Sequence, residues 1–218
     1  MSRTNVKSLL FNEFARVSKA LGSGNRLELL EFLAQGERSV EQLAKLSGLS
    51  VANTSRHLQV LRQAGLVSAR KEGLYVHYSV SGAGVIRLLA ALQEVAQHNI
   101  AEVTRIVDTY LTSKDSLEPV SVQDLMARVS EGLVTVLDVR PPEEYRAGHL
   151  PGAINVPLAE LEKTFDRLPR DREIVAYCRG PFCVLSFEAV SQLRGQGFNA
   201  RRLETGFPEW KVAGLPVE

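Results

Sequence analysis

The two cysteines of this 218-residue chain share one short loop, Cys178-Arg179-Gly180-Pro181-Phe182-Cys183. An apolar run, Ile174-Val175-Ala176-Tyr177, leads into it, and Val184-Leu185-Ser186-Phe187-Glu188-Ala189-Val190 leads out. That order predicts a strand, a tight loop and a helix. Backbone N–H groups and a helix N-terminus then converge on Cys178, and their partial positive charge is expected to ionise its thiol. The thiolate is the nucleophilic form, so Cys178 is the leading candidate for sulfur chemistry. Cys183 is close enough in sequence to act as a resolving thiol. A second reading, a small buried hydrophobe at the helix start, weighs equally. Arg179 is the one charge of the loop, and Gly180, Pro181, Phe182 and Val184 make the rest of it stiff and apolar.

The elements around this loop alternate. Val134–Val139, Ala153–Val156, Glu173–Tyr177 and Ala200–Leu203 read as strands, with helical segments at Glu143–Ala147, Leu158–Leu168, Val184–Gly195 and Pro208–Val212 between and after them. Such alternation predicts a mainly parallel sheet with helices on its faces, whose ligands bind beyond the carboxyl ends of the strands. Cys178 falls there.

The charge is uneven along the chain. Residues 1–115 carry 14 Lys and Arg against 10 Asp and Glu, whereas residues 116–218 carry 12 against 15. The polar stretch Leu111–Pro119 lacks helical periodicity and reads as a linker, so the expected domains are 1–110 and 121–218, joined by 111–120. No apolar stretch reaches the ~18 residues of a spanning helix and no export signal leads the chain, so a cytoplasmic protein without membrane contact is expected. Two cysteines in that setting favour reactive thiols over a structural disulfide.

In the basic half, helices are predicted at Asn5–Leu21 and Arg26–Ala34. A third, from Ser39, opens with a capping-box pair, Ser39 and Gln42, and turns at Ser47-Gly48-Leu49 into a fourth that Ser50 caps and Gln63 ends. A hairpin from Leu66 to Val80, folded at Lys71-Glu72-Gly73, completes a winged helix–turn–helix pattern. Ser50, Asn53, Ser55, Arg56, His57 and Gln59 form the polar side of the fourth helix, with Val51, Leu58 and Leu61 expected to face the core. A recognition helix needs that division, since its polar residues must reach base edges in the major groove. Residues 38–71 hold six basic residues against Glu41 alone, and Arg70 and Lys71 mark the wing as a phosphate contact. A last helix, Val85 to Tyr110, carries Leu89, Leu92, Ala96, Asn99, Val103, Ile106 and Tyr110 in a heptad-like seam. At about 35–40 Å it is longer than one small domain can cover, which predicts a homodimer through the first and last helices of this half.

The run Gly48-Leu-Ser-Val-Ala-Asn-Thr-Ser-Arg-His-Leu-Gln-Val-Leu-Arg-Gln-Ala-Gly-Leu-Val67, with Arg70-Lys71-Glu72-Gly73 and Tyr75-Val76-His77-Tyr78, resembles the ArsR family of winged helix–turn–helix repressors over residues 5–110. The resemblance implies a homodimer on a double-stranded DNA operator, released by a chemical signal. The family's thiolate metal site would need cysteines near Val40–Leu46, and there are none; Glu94, His98 and Glu102 read as a solvated helix face. No metal and no cofactor is expected.

Leu137-Asp-Val-Arg-Pro-Pro-Glu-Glu-Tyr-Arg-Ala-Gly-His-Leu-Pro-Gly-Ala-Ile-Asn-Val-Pro157 and the closing Leu203-Glu-Thr-Gly-Phe-Pro-Glu-Trp-Lys-Val-Ala-Gly-Leu-Pro216 resemble the rhodanese signature over residues 120–217. That resemblance implies a loop cysteine, here Cys178, that accepts sulfane sulfur as a persulfide. Asp138 and Arg140 match residues ending the first core strand near the active loop, with a structural ion pair as the competing role. Glu143, Arg146 and His149 read as fold-maintaining. Related phosphatase loops follow C-x5-R, but Val184 stands at the arginine's place, which argues against phosphate chemistry.

The combined expectation is two domains, a mainly α winged helix–turn–helix domain and an α/β rhodanese-like domain with a parallel sheet. Together they would form a repressor that senses or processes reactive sulfur, with a low-molecular-weight persulfide, polysulfide or thiosulfate as donor. Whether it turns over as a sulfurtransferase is left open. Two alternatives remain: an enzyme with an accessory DNA-binding domain, and a repressor answering arsenic(III) or antimony(III).

Overall fold

The computed structural model describes residues 3–115 and 117–218, the side chains of Arg3 and Thr4 excepted. The chain divides into two compact units, Met1–Leu89 and Ala90–Glu218. Among the described residues no helix is long and apolar enough to cross a membrane.

In the first unit α1 (Arg3–Leu21) and α2 (Gly24–Ala34) precede a two-residue strand, β1 (Arg38–Ser39). Then come α3 (Val40–Ser47), α4 (Val51–Gln63) and a hairpin of β2 (Val67–Glu72) and β3 (Tyr75–Val80). The capping box forms as its residues predict: Ser39 Oγ accepts from Gln42 N at 3.3 Å, and Ser39 N donates to Gln42 Oε1 at 2.8 Å. Gly48, in the left-handed region at φ 68°, ends α3, and Ser50 caps α4 by accepting from Asn53 N. The antiparallel sheet has the order β1-β3-β2. Strand β1 escapes the sequence because two residues carry no alternation. Gly73, at φ 60°, supplies the left-handed step at the wing's tip, which lies at Gly73-Leu74, a residue or so later than expected. Leu29, Leu30, Leu33, Leu43, Leu58 and Leu61 fill the core with Tyr78 of the wing.

The last helix departs from expectation. Instead of one rod to Tyr110, α5 (Ala83–Asn99) stops at Ile100, whose φ of −114° and ψ of 102° are extended. The chain restarts as α6 (Ala101–Ile106) and widens into a π-helical turn over Val107–Thr112. Side chains near the stop serve the helix's own carbonyls: Asn99 Nδ2 donates to Val95 O at 2.8 Å, and His98 Nδ1 lies 2.8 Å from Glu94 O. Such local bonds compete with helix propagation.

In the second unit, α7 (Val122–Ser130) precedes β4 (Val134–Asp138), α8 (Pro142–Arg146) and β5 (Ile154–Asn155). A 3₁₀ segment (Leu158–Arg167), β6 (Glu173–Tyr177), α9 (Val184–Gly195), β7 (Ala200–Arg202) and α10 (Phe207–Val212) follow. All four strands are parallel in the order β5-β4-β6-β7, as the alternation predicts. Strand β6 is central and wholly buried: Ile174, Ala176 and Cys178 enter one apolar layer, Val175 and Tyr177 the other. Helix α7, capped by Ser121, is short and buries only Leu125, while Met126 and Val129 stay exposed, so its apolar residues do not mark a core face in the sequence. Asp115, inside the polar stretch 111–120, is buried and accepts from Arg194 Nη1 at 2.7 Å and Arg202 Nε at 2.6 Å.

Candidate functional site

The sulfur loop begins where β6 ends. Cys178 O accepts from Phe207 N at 3.1 Å, tying the loop to the start of α10, and Cys183 N donates back to Gly180 O at 3.1 Å. Cys183 is the N-cap of α9, and its carbonyl accepts from both the N–H and the hydroxyl of Ser186. Both cysteines are buried and not joined in a disulfide, with Cys178 only 1% exposed.

The electrostatics reverse the expected ionisation. Burial pushes the Cys178 thiol well above the ordinary cysteine range, and a hydrogen bond with the Cys183 thiol adds to the effect. The Arg179 N–H and guanidinium favour the thiolate, as the sequence suggests, but they are outweighed. Burial strengthens the loop dipoles, but it costs the thiolate its hydration, and that cost dominates for a sulfur packed among Leu137, Ile174 and Ala189.

Arg179 does not face open space. Its Nε lies 3.1 and 3.0 Å from the two Glu144 carboxylate oxygens and its Nη2 donates to Oε1 at 2.7 Å, with Glu144 fully buried. This is the two-point guanidinium–carboxylate geometry. Asp138 and Arg140 pair at 2.6 Å, both completely buried. Tyr177 donates to the same Asp138 oxygen at 2.5 Å, and Arg140 Nη2 also donates to Gly148 O at 2.8 Å. Arg140 lies over the Phe207 ring at 4.3 Å. The pair thus braces the ends of β4 and β6 beneath the loop and presents no charge at its surface. His149 stacks on Tyr145 at 3.7 Å, and its backbone exchanges two hydrogen bonds with Glu218, the fold-maintaining position expected of it.

On the first unit, Asn53, Arg56 and Gln59 are exposed along α4, and Ser55 and His57 are half-buried beside them. Val51 is not a core residue: it is 50% exposed, and Thr54 takes its place with Leu58 and Leu61. The buried row is 54, 58, 61, and Val51 lies on the open first turn; Thr54 reaches the core because its hydroxyl donates to Ser50 O at 3.1 Å. Arg70 is held by Glu37 at 2.6 Å and Glu72 at 2.8 Å, two acids that flank the basic window counted from the sequence. Their hydrogen bonds raise its pKa further. Leu74 at the tip is 97% exposed.

Comparison with known proteins follows the same division. The model for bacterial regulatory proteins of the arsR family matches residues 23–69, and that for the rhodanese-like domain matches residues 121–213. An HTH-type transcriptional regulator of Mycobacterium tuberculosis is 45% identical over 216 residues, 99% of this chain and 95% of that protein. The chain belongs to the ArsR family of transcriptional regulators. Its second domain is rhodanese-like. A sulfurtransferase of Allochromatium vinosum is 32% identical over 85 residues, 38% of this chain and 78% of its own. A solution structure of a homodimeric winged helix-turn-helix DNA-binding domain from Mycobacterium bovis is 42% identical, covering 46% of this chain and 93% of that one, at a TM-score of 0.43.

Two further residues of this ArsR-family regulator shape the loop, and the sequence does not mark them. Glu144, which holds Arg179, follows Glu143 in the first turn of α8, and nothing in that pair says which acid turns inward. Gly206 is the second. A Cβ there would sit 2.3 Å from Gly180 N and 2.4 Å from Arg179 O, so the start of α10 lies against the loop backbone because it lacks a side chain. The glycine stands in the closing signature run, but the contact it permits is legible only in three dimensions.

Proposed function

We propose that this regulator binds its operator as a homodimer and is controlled by sulfane sulfur captured on Cys178. The observation that carries the reading is the hydrogen-bonded thiol pair in the loop beyond β6. A donor R–S–SH would pass its outer sulfur to Cys178: the donor S–S bond breaks, a Cys178–S–SH bond forms, and RSH leaves with the thiol proton. Cys183 then attacks the Cys178 sulfur, closing a disulfide and releasing H2S, with no external oxidant. Burial of the thiol slows the first step and reserves it for donors that enter the loop. The relative named a sulfurtransferase supports the same chemistry.

Asn53, Arg56, His57 and Gln59 are the proposed base-edge readers, with Ser50, Ser55, Arg70 and Lys71 on the phosphates. Dimerisation is supported by the exposed apolar residues of α1 (Val6, Leu9, Leu10, Phe11, Phe14) and of α5 (Leu88, Leu92, Val95). A cytoplasmic location fits DNA binding and reduced thiols.

Operator binding measured by fluorescence anisotropy, before and after sodium tetrasulfide or glutathione persulfide, tests the reading. Wild type is expected to release DNA and Cys178→Ser to stay bound, while Cys183→Ser tells whether the bridge is needed. Unchanged affinity on fully persulfidated protein, verified by mass spectrometry, would sink the regulatory step and favour the enzyme reading.

A further inference from the structure

A groove of about 400 Å³ opens within the second unit beside the sulfur loop. Ala96, Val103, Ile106, Val107 and Tyr110 border it, and the loop contributes Phe182 and Val184, the two neighbours of Cys183. Among the described residues no charged side chain lines it; Gln93 and the Tyr110 hydroxyl are its polar groups. Part of its wall is the π-helical turn Val107–Thr112, a geometry often found where a helix is adapted to a ligand. The volume lies in the range of small-molecule sites, which are mostly apolar.

We infer that the groove selects the sulfur donor, seating the apolar substituent of a neutral hydropersulfide, R–S–SH with R a hydrocarbon group. Charge complementarity decides the class. Thiosulfate or a peptide persulfide would bring carboxylate or sulfonate charge to a wall without a cation. The loop's own cation, Arg179, is engaged by Glu144 through two-point bonds. A hydrocarbon group instead buries apolar area against Val103, Ile106 and Phe182. This rests on the sulfur-capture reading and adds the identity of the donor. The chemistry is the step above: the outer sulfur moves to Cys178, the donor S–S bond breaks, and the hydrocarbon thiol departs with the Cys178 proton.

The test uses the full chain and two donors, benzyl hydropersulfide and glutathione persulfide. Rates of Cys178 persulfidation are read by alkylation quench and mass spectrometry, each divided by the donor's rate with free cysteine. Wild type is expected to prefer the benzyl donor at least tenfold. Ile106→Asp and, as a milder second variant, Val103→Thr are expected to lose most of that preference while their rate with glutathione persulfide stays within twofold. Circular dichroism verifies that each variant is folded. Equal normalised rates in wild type overturn the inference and leave sulfur capture standing. Variants that slow both donors alike overturn it too. Conversion of a dimer to a monomer by either variant, seen by light scattering, assigns the groove to a second copy and overturns it. No reaction of Cys178 with either donor defeats the sulfur reading itself, and the donor preference with it.

Discussion

Arg70 on the wing and Arg179 in the sulfur loop make the same bond in opposite surroundings. Each meets a glutamate at 2.6–2.7 Å, but the Arg70 side chain is 57% exposed and the Arg179 side chain 13%, with its acid fully buried. An exposed pair contributes little and is screened by salt, so Glu37 and Glu72 can be exchanged for a phosphate at small cost. A buried two-point pair has no such exchange available, because freeing either charge strands the other. The Arg70 cation on the wing is therefore held by acids it can readily give up. The loop is a closed assembly whose cation is part of the frame.

The contrast can be broken most violently beneath the loop. Asp138→Ala leaves Arg140 charged, buried and without its carboxylate, and is expected to cost about 3–5 kcal/mol in urea unfolding; a loss under 1 kcal/mol would show that the brace is dispensable. Gly206→Ala drives a methyl into the loop backbone and should cost about 1–3 kcal/mol. If its urea midpoint matches wild type, the close approach of α10 is wrong.

Glu144→Gln sharpens the comparison by keeping shape and removing charge. With the Arg179 cation no longer balanced, the Cys178 thiol becomes more acidic, and its iodoacetamide rate at neutral pH should rise severalfold. An unchanged rate would mean the thiol does not sense that charge. The pH dependence of stability follows from the same thiol. Its folded pKa is raised, so the unfolded chain ionises first. Stability is whole below about pH 8.5 and falls above it, and Cys178→Ala should flatten that decline in thermal melts. The smallest effect belongs to the wing: Glu37→Gln is expected to tighten DNA about two- to threefold, with a salt slope steeper by no more than about 1. Weaker binding would mean that Glu37 orients Arg70 for the phosphate.

What the sequence discloses follows the range of the interactions. The capping box at Ser39, the glycine turn at Gly48 and the apolar run Ile174–Tyr177 of β6 are set by neighbours a few residues apart, and each is readable in order. The two family signatures and the thiol pair are equally local. Glu144, Gly206 and Asp115 act across 35, 27 and 79 or 87 residues, to Arg179, to the same loop and to Arg194 and Arg202, and no periodicity announces them. The acidity of Cys178 is set over the same long range. Loop dipoles can be inferred from a strand–loop–helix order, whereas desolvation depends on side chains brought in from Leu137 and Ala189. Val51 and the stop at Ile100 are nearer misses, where side-chain bonds to the backbone shift the buried row or end the helix.

The Asp115 cluster also sets an order of assembly. Its arginines lie 79 and 87 residues downstream, so the clasp cannot close until Arg202 has been synthesised. The first unit draws on short-range pairings, such as the hairpin of β2 and β3, and can fold while the remainder is still being made. A nascent chain therefore holds a formed DNA-reading unit well before it holds a sulfur loop. Ribosome-bound intermediates stalled short of residue 202 should protect the wing's amides from exchange and leave the Cys178 thiol open to alkylation.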